Sequence, residues 1–297
     1  MRLITRGLVA HACRPVLCCR HLALVIHALS IAMHPFLTRM LFALMITSFL
    51  PVFFSTADAQ ERMRPEETEV WEPVPPVVTP GEYVGPVPPP SDASVLFDGT
   101  NLDEWASTRT RGDAGWRLHD GVMSVVQEAG GIHTRRHFKD YQLHLEWRVP
   151  QGVIGSGQSR GNSGLFMAWD LDRGNGYELQ ILDSYENETY VNGMAGATYK
   201  QSIPQVNPMR PPGSWQTYDV VWRAPRFDDE GNLTQPARVT AFFNGILIQD
   251  SVDMEGETYY IGKPEYHPFD GAPIHLQAHG DPGPTLSFRN IWIRPLD

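Results

Sequence analysis

The 297-residue chain carries 24 basic and 34 acidic side chains, a formal charge of −10, on an apolar content of 42%. Without a basic surface it makes a poor partner for nucleic acid, whose phosphates demand Lys and Arg. The length admits one large domain or two small ones. All three cysteines, Cys13, Cys18 and Cys19, lie before residue 20, which leaves the rest of the chain with no disulfide, thiol nucleophile or Cys-ligated metal.

Met40–Leu50 forms an apolar h-region with Arg39 just before it, and Ala57-Asp58-Ala59 offers the small-x-small pattern cut by signal peptidase. Residues 1–59 are therefore expected to be a signal peptide with a long n-region. The length of that n-region also fits a true start at Met33 or Met40. Pro51 and the quick return to polar residues argue against a membrane span, which needs about 20 apolar residues. The protein is expected to be exported, periplasmic or secreted. Removing the five arginines and one aspartate of residues 1–59 leaves 19 basic and 33 acidic side chains, a formal charge of −14, suited to a soluble protein that meets a neutral ligand.

Residues 60–92 hold Pro65, Pro73, Pro75, Pro76, Pro80, Pro86, Pro88, Pro89 and Pro90. Prolines at this density preclude a helix or central strand and predict a polyproline II spacer. From there, residues 93–297 read as short alternating runs broken by Gly, Asn and Asp, with no amphipathic helix of useful length and no internal repeat. That texture predicts an all-β fold, a two-sheet antiparallel β-sandwich around one core.

The alternation is cleanest in four places. In Tyr141–Val149 the residues Tyr141, Leu143, Leu145, Trp147 and Val149 share one face, and Gln142, His144, Glu146 and Arg148 the other. Gly176–Leu182 sets Tyr177, Leu179 and Ile181 against Glu178 and Gln180, with Asp183 just beyond. Thr217–Arg223 buries Tyr218, Val220 and Trp222. Ile274, Leu276 and Ala278 oppose His275, Gln277 and His279. Asn244-Gly245 is a type I′ hairpin signal, and Leu286–Ile293 is the closing strand.

Three of these strands carry unusual polar faces: Glu146 with Arg148, Glu178 with Gln180, Gln277 with His279. Side by side in one sheet they would form a concave patch holding acid, base and cation together. A single strand of this kind is more often simply wet on its outer face. Trp169, Tyr199, Trp215 and Tyr266 would supply flat faces for sugar rings. Asp170, Asp172 and Asp183 are hard oxygen ligands for a possible Ca²⁺ or other divalent ion, although acidic loops are usually just solvated. Asp228-Asp229-Glu230-Gly231-Asn232 lacks the alternation of an EF-hand loop and reads as a turn.

Several stretches resemble one family in order along residues 94–297. They are Leu96-Phe97-Asp98-Gly99 with Trp105, Gly115–Val122, Phe138-Lys139-Asp140-Tyr141 through Glu146-Trp147-Arg148, and Gly161-Asn162-Ser163-Gly164. Gly176–Asp183, Gly196-Ala197-Thr198-Tyr199, Gly213–Tyr218 and Ser287–Ile291 complete the set. The family is that of the 3-keto-disaccharide hydrolases, formerly a domain of unknown function, with a concanavalin A-like lectin/glucanase jelly roll. Where the family often has an Asp this chain has Ala278, which leaves the charge partner of His279 open; Gln216 replaces a commoner Asn.

The resemblance implies an enzyme acting on 3-keto glycosides, with a small carbohydrate as partner and no certain cofactor. A ketone at C3 acidifies the C2 proton and sets the C1 oxygen up for elimination, so a base, an enolate-holding cation and an acid would suffice. The expected catalytic residues are Glu178 or His279 as base, with Glu146 or Asp183 as partner. Arg148 and Lys200 are expected to hold the keto or enolate oxygen, and Asn162, Gln180, Tyr199, Trp215 and Gln277 to bind substrate. Glucanases of this fold carry two glutamates about four residues apart; here the position four after Glu178 is Leu182. A non-catalytic, lectin-like carbohydrate-binding module is the alternative.

Overall fold

A computed structural model describes residues 63–296. The expected signal peptide lies outside the described residues, and so does the start of the Pro-rich segment. Fifteen strands follow in order: β1 (Ser94–Phe97), β2 (Trp105–Ser107), β3 (Arg117–His119), β4 (Val122–Ser124), β5 (Ile132–Thr134), β6 (Tyr141–Arg148), β7 (Ser163–Asp170) and β8 (Asn175–Ile181). Then come β9 (Gln216–Arg223), β10 (Arg226–Phe227), β11 (Leu233–Gln235), β12 (Arg238–Phe243), β13 (Ile246–Asp253), β14 (His275–Leu276) and β15 (Ser287–Pro295). Helical structure among the described residues is limited to short 3₁₀ turns, none of them long and apolar enough to cross a membrane.

The strands form two antiparallel sheets and a small β10–β11 hairpin, as the alternating pattern requires. One sheet has eight strands in the order β13-β12-β9-β6-β15-β4-β3, with β1 also pairing β15; the other has five, β2-β5-β14-β7-β8. Their inner faces make one core. Trp147, Tyr218 and Trp222 come from the larger sheet, and Leu165, Tyr177, Leu179 and Leu276 from the smaller. Two tyrosine hydroxyls cross that core. Tyr141 donates to the Met167 carbonyl at 2.6 Å and Tyr218 to the Gln180 carbonyl at 2.7 Å. These buried bonds fix the smaller sheet against the larger while satisfying groups that would otherwise be orphaned. Asn244 and Gly245 take φ of +53° and +79°, as the β12–β13 hairpin requires.

The sheet order separates strands whose polar faces look alike in sequence. β6, with Glu146 and Arg148, belongs to the eight-stranded sheet; β8 and β14, with Glu178, Gln180 and Gln277, belong to the five-stranded one. Alternation fixes which face a side chain takes, but not which sheet its strand joins.

The Pro-rich segment is not a bare spacer where it is described. Pro65–Thr68 forms a 3₁₀ turn, for which Pro at the first position is well suited. The Val70 amide donates to Asn192 Oδ1 at 2.9 Å, and Val78 and Pro76 exchange backbone bonds with Asn207. Tyr83 reaches Glu146 at 2.7 Å, and Val87 accepts from Asn290. This strap covers the outer face of β6, which is why His144 and Glu146 are fully buried.

Candidate active site

The outer face of the five-stranded sheet holds a cavity of about 250 Å³, lined by Asn162, Phe166, Trp169, Glu178, Gln180, Tyr199, Thr258, Tyr260, Gln277 and His279 among others. The even positions of β8 and the odd ones around β14 point here because their alternates fill the core. β8 is an edge strand, yet its face is not wet. The Met194–Ser202 loop bonds along it through Gln180 N–H to Ala197 O, Gly196 N–H to Gln180 O and Tyr199 N–H to Glu178 O, and Thr258 Oγ1 accepts from the Glu178 amide. Glu178 is left 5% exposed and Gln180 1%.

Burial alone pushes the Glu178 carboxyl up to about 8, because the charged form loses its water and gains no compensating partner. At neutral pH it holds its proton. It fits because Gly164 lies beside it: β7 and β8 pair Gly164 with Gln180, and a Cβ on Gly164 would collide with Glu178 Oε1 and crowd Phe166. Gly164→Ala is expected to displace the carboxyl, lowering kcat/KM by about 100-fold, while the melting temperature moves little, since a side-chain tip can swing aside. Kinetics and a thermal melt on one preparation check this.

Two further polar atoms at the cavity are unpaired. Gln180 Nε2 donates to Gln158 Oε1 at 3.0 Å and Gly193 O at 3.2 Å, and Asn162 Nδ2 to Gln158 O at 2.8 Å. These bonds orient both amides, and among the described residues neither buried side-chain oxygen has a partner. A ligand rich in hydroxyl donors would satisfy them. Trp169, its ring centre 4.2 Å from that of His275 in a tilted contact and 4.7 Å from that of Phe166 edge to face, offers an apolar wall. Burial depresses the His275 imidazole to about 3, so it stays neutral and acts as packing.

His279 stands at the rim, half-exposed, with Nδ1 2.7 Å from Asp281 Oδ1. A carboxylate can only accept there, so in the neutral imidazole this contact places the hydrogen on Nδ1 and the lone pair on Nε2. Asp281 Oδ2 accepts from the Asn162 amide at 2.5 Å, which ties the dyad to the same loop. Asp281 therefore supplies the partner that Ala278 does not. Sequence reasoning missed it because it lies two residues after His279 in a loop, where no periodicity applies. Gln158, Phe166, Thr258 and Tyr260 were missed for the same want of a signal.

The cavity thus unites Glu178, His279, Asn162, Trp169, Gln180, Tyr199 and Gln277, and leaves out the other expected residues. Glu146 lies on the opposite sheet, held by Arg289 at 2.7 Å, Asn290 at 2.9 Å, Tyr83 and His144; despite burial, those donors depress it to about 2. Arg148 and Trp215 lie together on that sheet's side. Asp183 is buried and pairs with Arg160 at 2.7 Å, outside the cavity lining. Lys200 caps carbonyls of Pro65 and Tyr260 at 2.7 and 2.9 Å, linking the strap to the cavity rim. Tyr266 is scaffold, donating to the Met254 carbonyl. The three aspartates considered for Ca²⁺ each pair with a different arginine, Asp170 with Arg173, Asp172 with Arg111 and Asp183 with Arg160. No cluster of His, Cys, Asp and Glu suited to a metal occurs among the described residues. Asp228 accepts from the Glu230 and Asn232 amides and closes the β10–β11 turn.

Comparison with known proteins agrees with this architecture. A provisionally named glycosyl hydrolase from Parabacteroides distasonis shares 48% identity over 78% of this chain and 96% of its own, with a TM-score of 0.67. A second provisionally named glycosyl hydrolase from the same organism has the same fold at 21% identity, covering 69% of this chain and 94% of its own, with a TM-score of 0.51. No curated protein matches. Residues 92–294 match the family described as the 3-keto-alpha-glucoside-1,2-lyase-like domain. That match spans the whole sandwich and the cavity with it, and supports a carbohydrate-active function: the chain belongs to the 3-keto-alpha-glucoside-1,2-lyase-like family.

Proposed function

We propose that this is an exported enzyme that cleaves 3-keto glycosides by elimination and hydration. The observation that carries the reading is that Glu178, protonated near neutral pH, is the only carboxyl group lining the cavity among the described residues, while a carboxylate-oriented histidine stands at its rim. Direct glycoside hydrolysis calls for two carboxyl groups flanking the bond; one protonated carboxyl group as acid and one imidazole as base suit elimination.

In this reading His279 Nε2 removes the C2 proton, made acidic by the C3 ketone. The electron pair forms the C1–C2 double bond as the C1–O bond breaks, and Glu178 gives its proton to the departing oxygen. Water then adds at C1, and C2 regains a proton, so the sum is hydrolysis. Asp281 fixes the imidazole and stabilises its cation. Asn162, Gln180 and Gln277 engage sugar hydroxyls, and Tyr199 and Trp169 wall the ring. Export rests on the h-region and the Ala57-Asp58-Ala59 pattern.

The test is turnover of 3-keto-trehalose or 3-keto-lactose in D₂O, followed by NMR. Released 3-keto-glucose is expected to carry deuterium at C2. Release without deuterium would overturn elimination; binding of the unoxidised sugar without any turnover would overturn the enzyme in favour of a lectin.

A further inference from the structure

Several stretches that carry the family resemblance are not used by the cavity on the five-stranded sheet. Arg148, Trp215, Arg289 and Glu146 instead meet on the outer face of the other sheet. β6 and β15 pair Glu146 with Arg289. The Arg289 guanidinium lies 3.9 Å from the centre of the Trp215 ring, and that of Arg148 4.5 Å. Arg289 and Arg210 also approach the Tyr83 ring, at 5.7 and 5.9 Å. Three guanidinium groups thus crowd two aromatic rings.

Of the three guanidinium groups, Glu146 pairs only with that of Arg289. Arg210 donates to the carbonyls of Gly81 and Trp215, and among the described residues neither Arg210 nor Arg148 has a carboxylate within ion-pair distance. Burial holds both below the usual arginine range, with the Arg289 charge adding to the effect at Arg148. Clustered, half-buried cations without a counter-ion are unfavourable by themselves and would be relieved by an anion.

Beside this cluster, between the strap and the loops before β9, opens a cavity of about 870 Å³, far larger than a bare oxyanion. Trp215, Tyr83, Tyr185 and Arg210 line it, together with Glu82 and Glu186. Aromatic faces suit the CH faces of a sugar. The two glutamates suit its hydroxyl hydrogens. Arg210, the arginine of the cluster that lines the cavity, suits an acidic substituent, which a planar guanidinium binds in bidentate fashion, while Arg148 and Arg289 add positive charge from behind the Trp215 ring.

We infer that the strap and the eight-stranded sheet form a second saccharide site, separate from the cavity at Glu178, that takes a sugar bearing a carboxylate. Its role is to hold an acidic glycan while the first cavity acts on its own substrate.

Isothermal titration of the purified protein with glucuronate, glucose and inorganic sulfate tests this. Saturable glucuronate binding is expected, at least tenfold tighter than glucose or sulfate. Arg148→Gln and Arg210→Gln should each weaken it tenfold or more; Arg148→Lys should lose less, and Glu178→Gln should leave it unchanged. Arg210 sits on the strap side, so its variant keeps the test open if Arg148→Gln does not fold. Equal binding of sulfate and glucuronate would overturn a saccharide site. Absence of saturable binding, or binding indifferent to both arginine variants, would reduce the cluster to a structural anchor for the strap.

Discussion

Glu178→Gln is expected to lower kcat/KM on a 3-keto disaccharide by about 10³-fold, within the range for loss of a positioned proton donor, and at the same time to make the protein more stable at alkaline pH. The second effect follows from linkage. The carboxyl sits near 4.5 when unfolded and is raised to about 8 by burial in the fold. Below pH 4.5 both states hold the proton and the group costs nothing. Between the two values the folded state keeps a proton that the unfolded state has released, so stability falls as pH rises and the full cost is reached above about 8. Each tenfold weakening of the acid on folding costs about 1.4 kcal/mol, so the whole penalty is on the order of several kcal/mol. Glutamine has the same shape and no charge to bury. Its melting-temperature advantage should be near zero at pH 4 and largest at pH 9. Melts at pH 4, 7 and 9 beside steady-state kinetics check both halves; an advantage independent of pH would mean that the carboxyl is not buried as described.

The same residue shows what the sequence could reveal. Period-2 alternation in Gly176–Leu182 puts Glu178 and Gln180 on one face and Leu179 and Ile181 on the other, and the fold keeps that division, with the apolar pair in the core and the polar pair at the cavity. It could not show that the polar face would be dry, because the cover comes from Met194–Ser202 and Thr258, distant in sequence and without periodicity. Nor could it assign Glu146 to the other sheet. Its alternation in β6 matches that of β8, and partnering depends on the whole strand order. Trp215 and Lys200 misled for a related reason. An exposed-looking aromatic or cation in a loop carries no address, and here one stacks with arginines and the other caps backbone carbonyls. The resemblance to a family supplied the order of motifs, but only the fold divided them between two faces.

His279→Ala should lower kcat by 10³-fold or more, and Asp281→Asn by a comparable factor of about 10³–10⁴, because an amide NH2 facing Nδ1 holds the imidazole in the tautomer whose Nε2 carries the hydrogen. The two variants together separate base from scaffold: asparagine still offers an oxygen to the Asn162 amide, so the loop that carries it should stay folded. A sharper distinction comes from the partial reactions. If His279 takes the C2 proton and Glu178 protonates the departing oxygen, Glu178→Gln should still exchange the C2 hydrogen of a 3-keto disaccharide for deuterium while releasing little product. His279→Ala should lose exchange and release together, because without the proton transfer no electron pair forms to expel the oxygen. The reverse pattern, exchange surviving in His279→Ala and vanishing in Glu178→Gln, would assign the base to Glu178. The raised carboxyl would then be a base that becomes competent only as pH climbs toward 8, and the rate should follow that ionisation upward rather than fall with it.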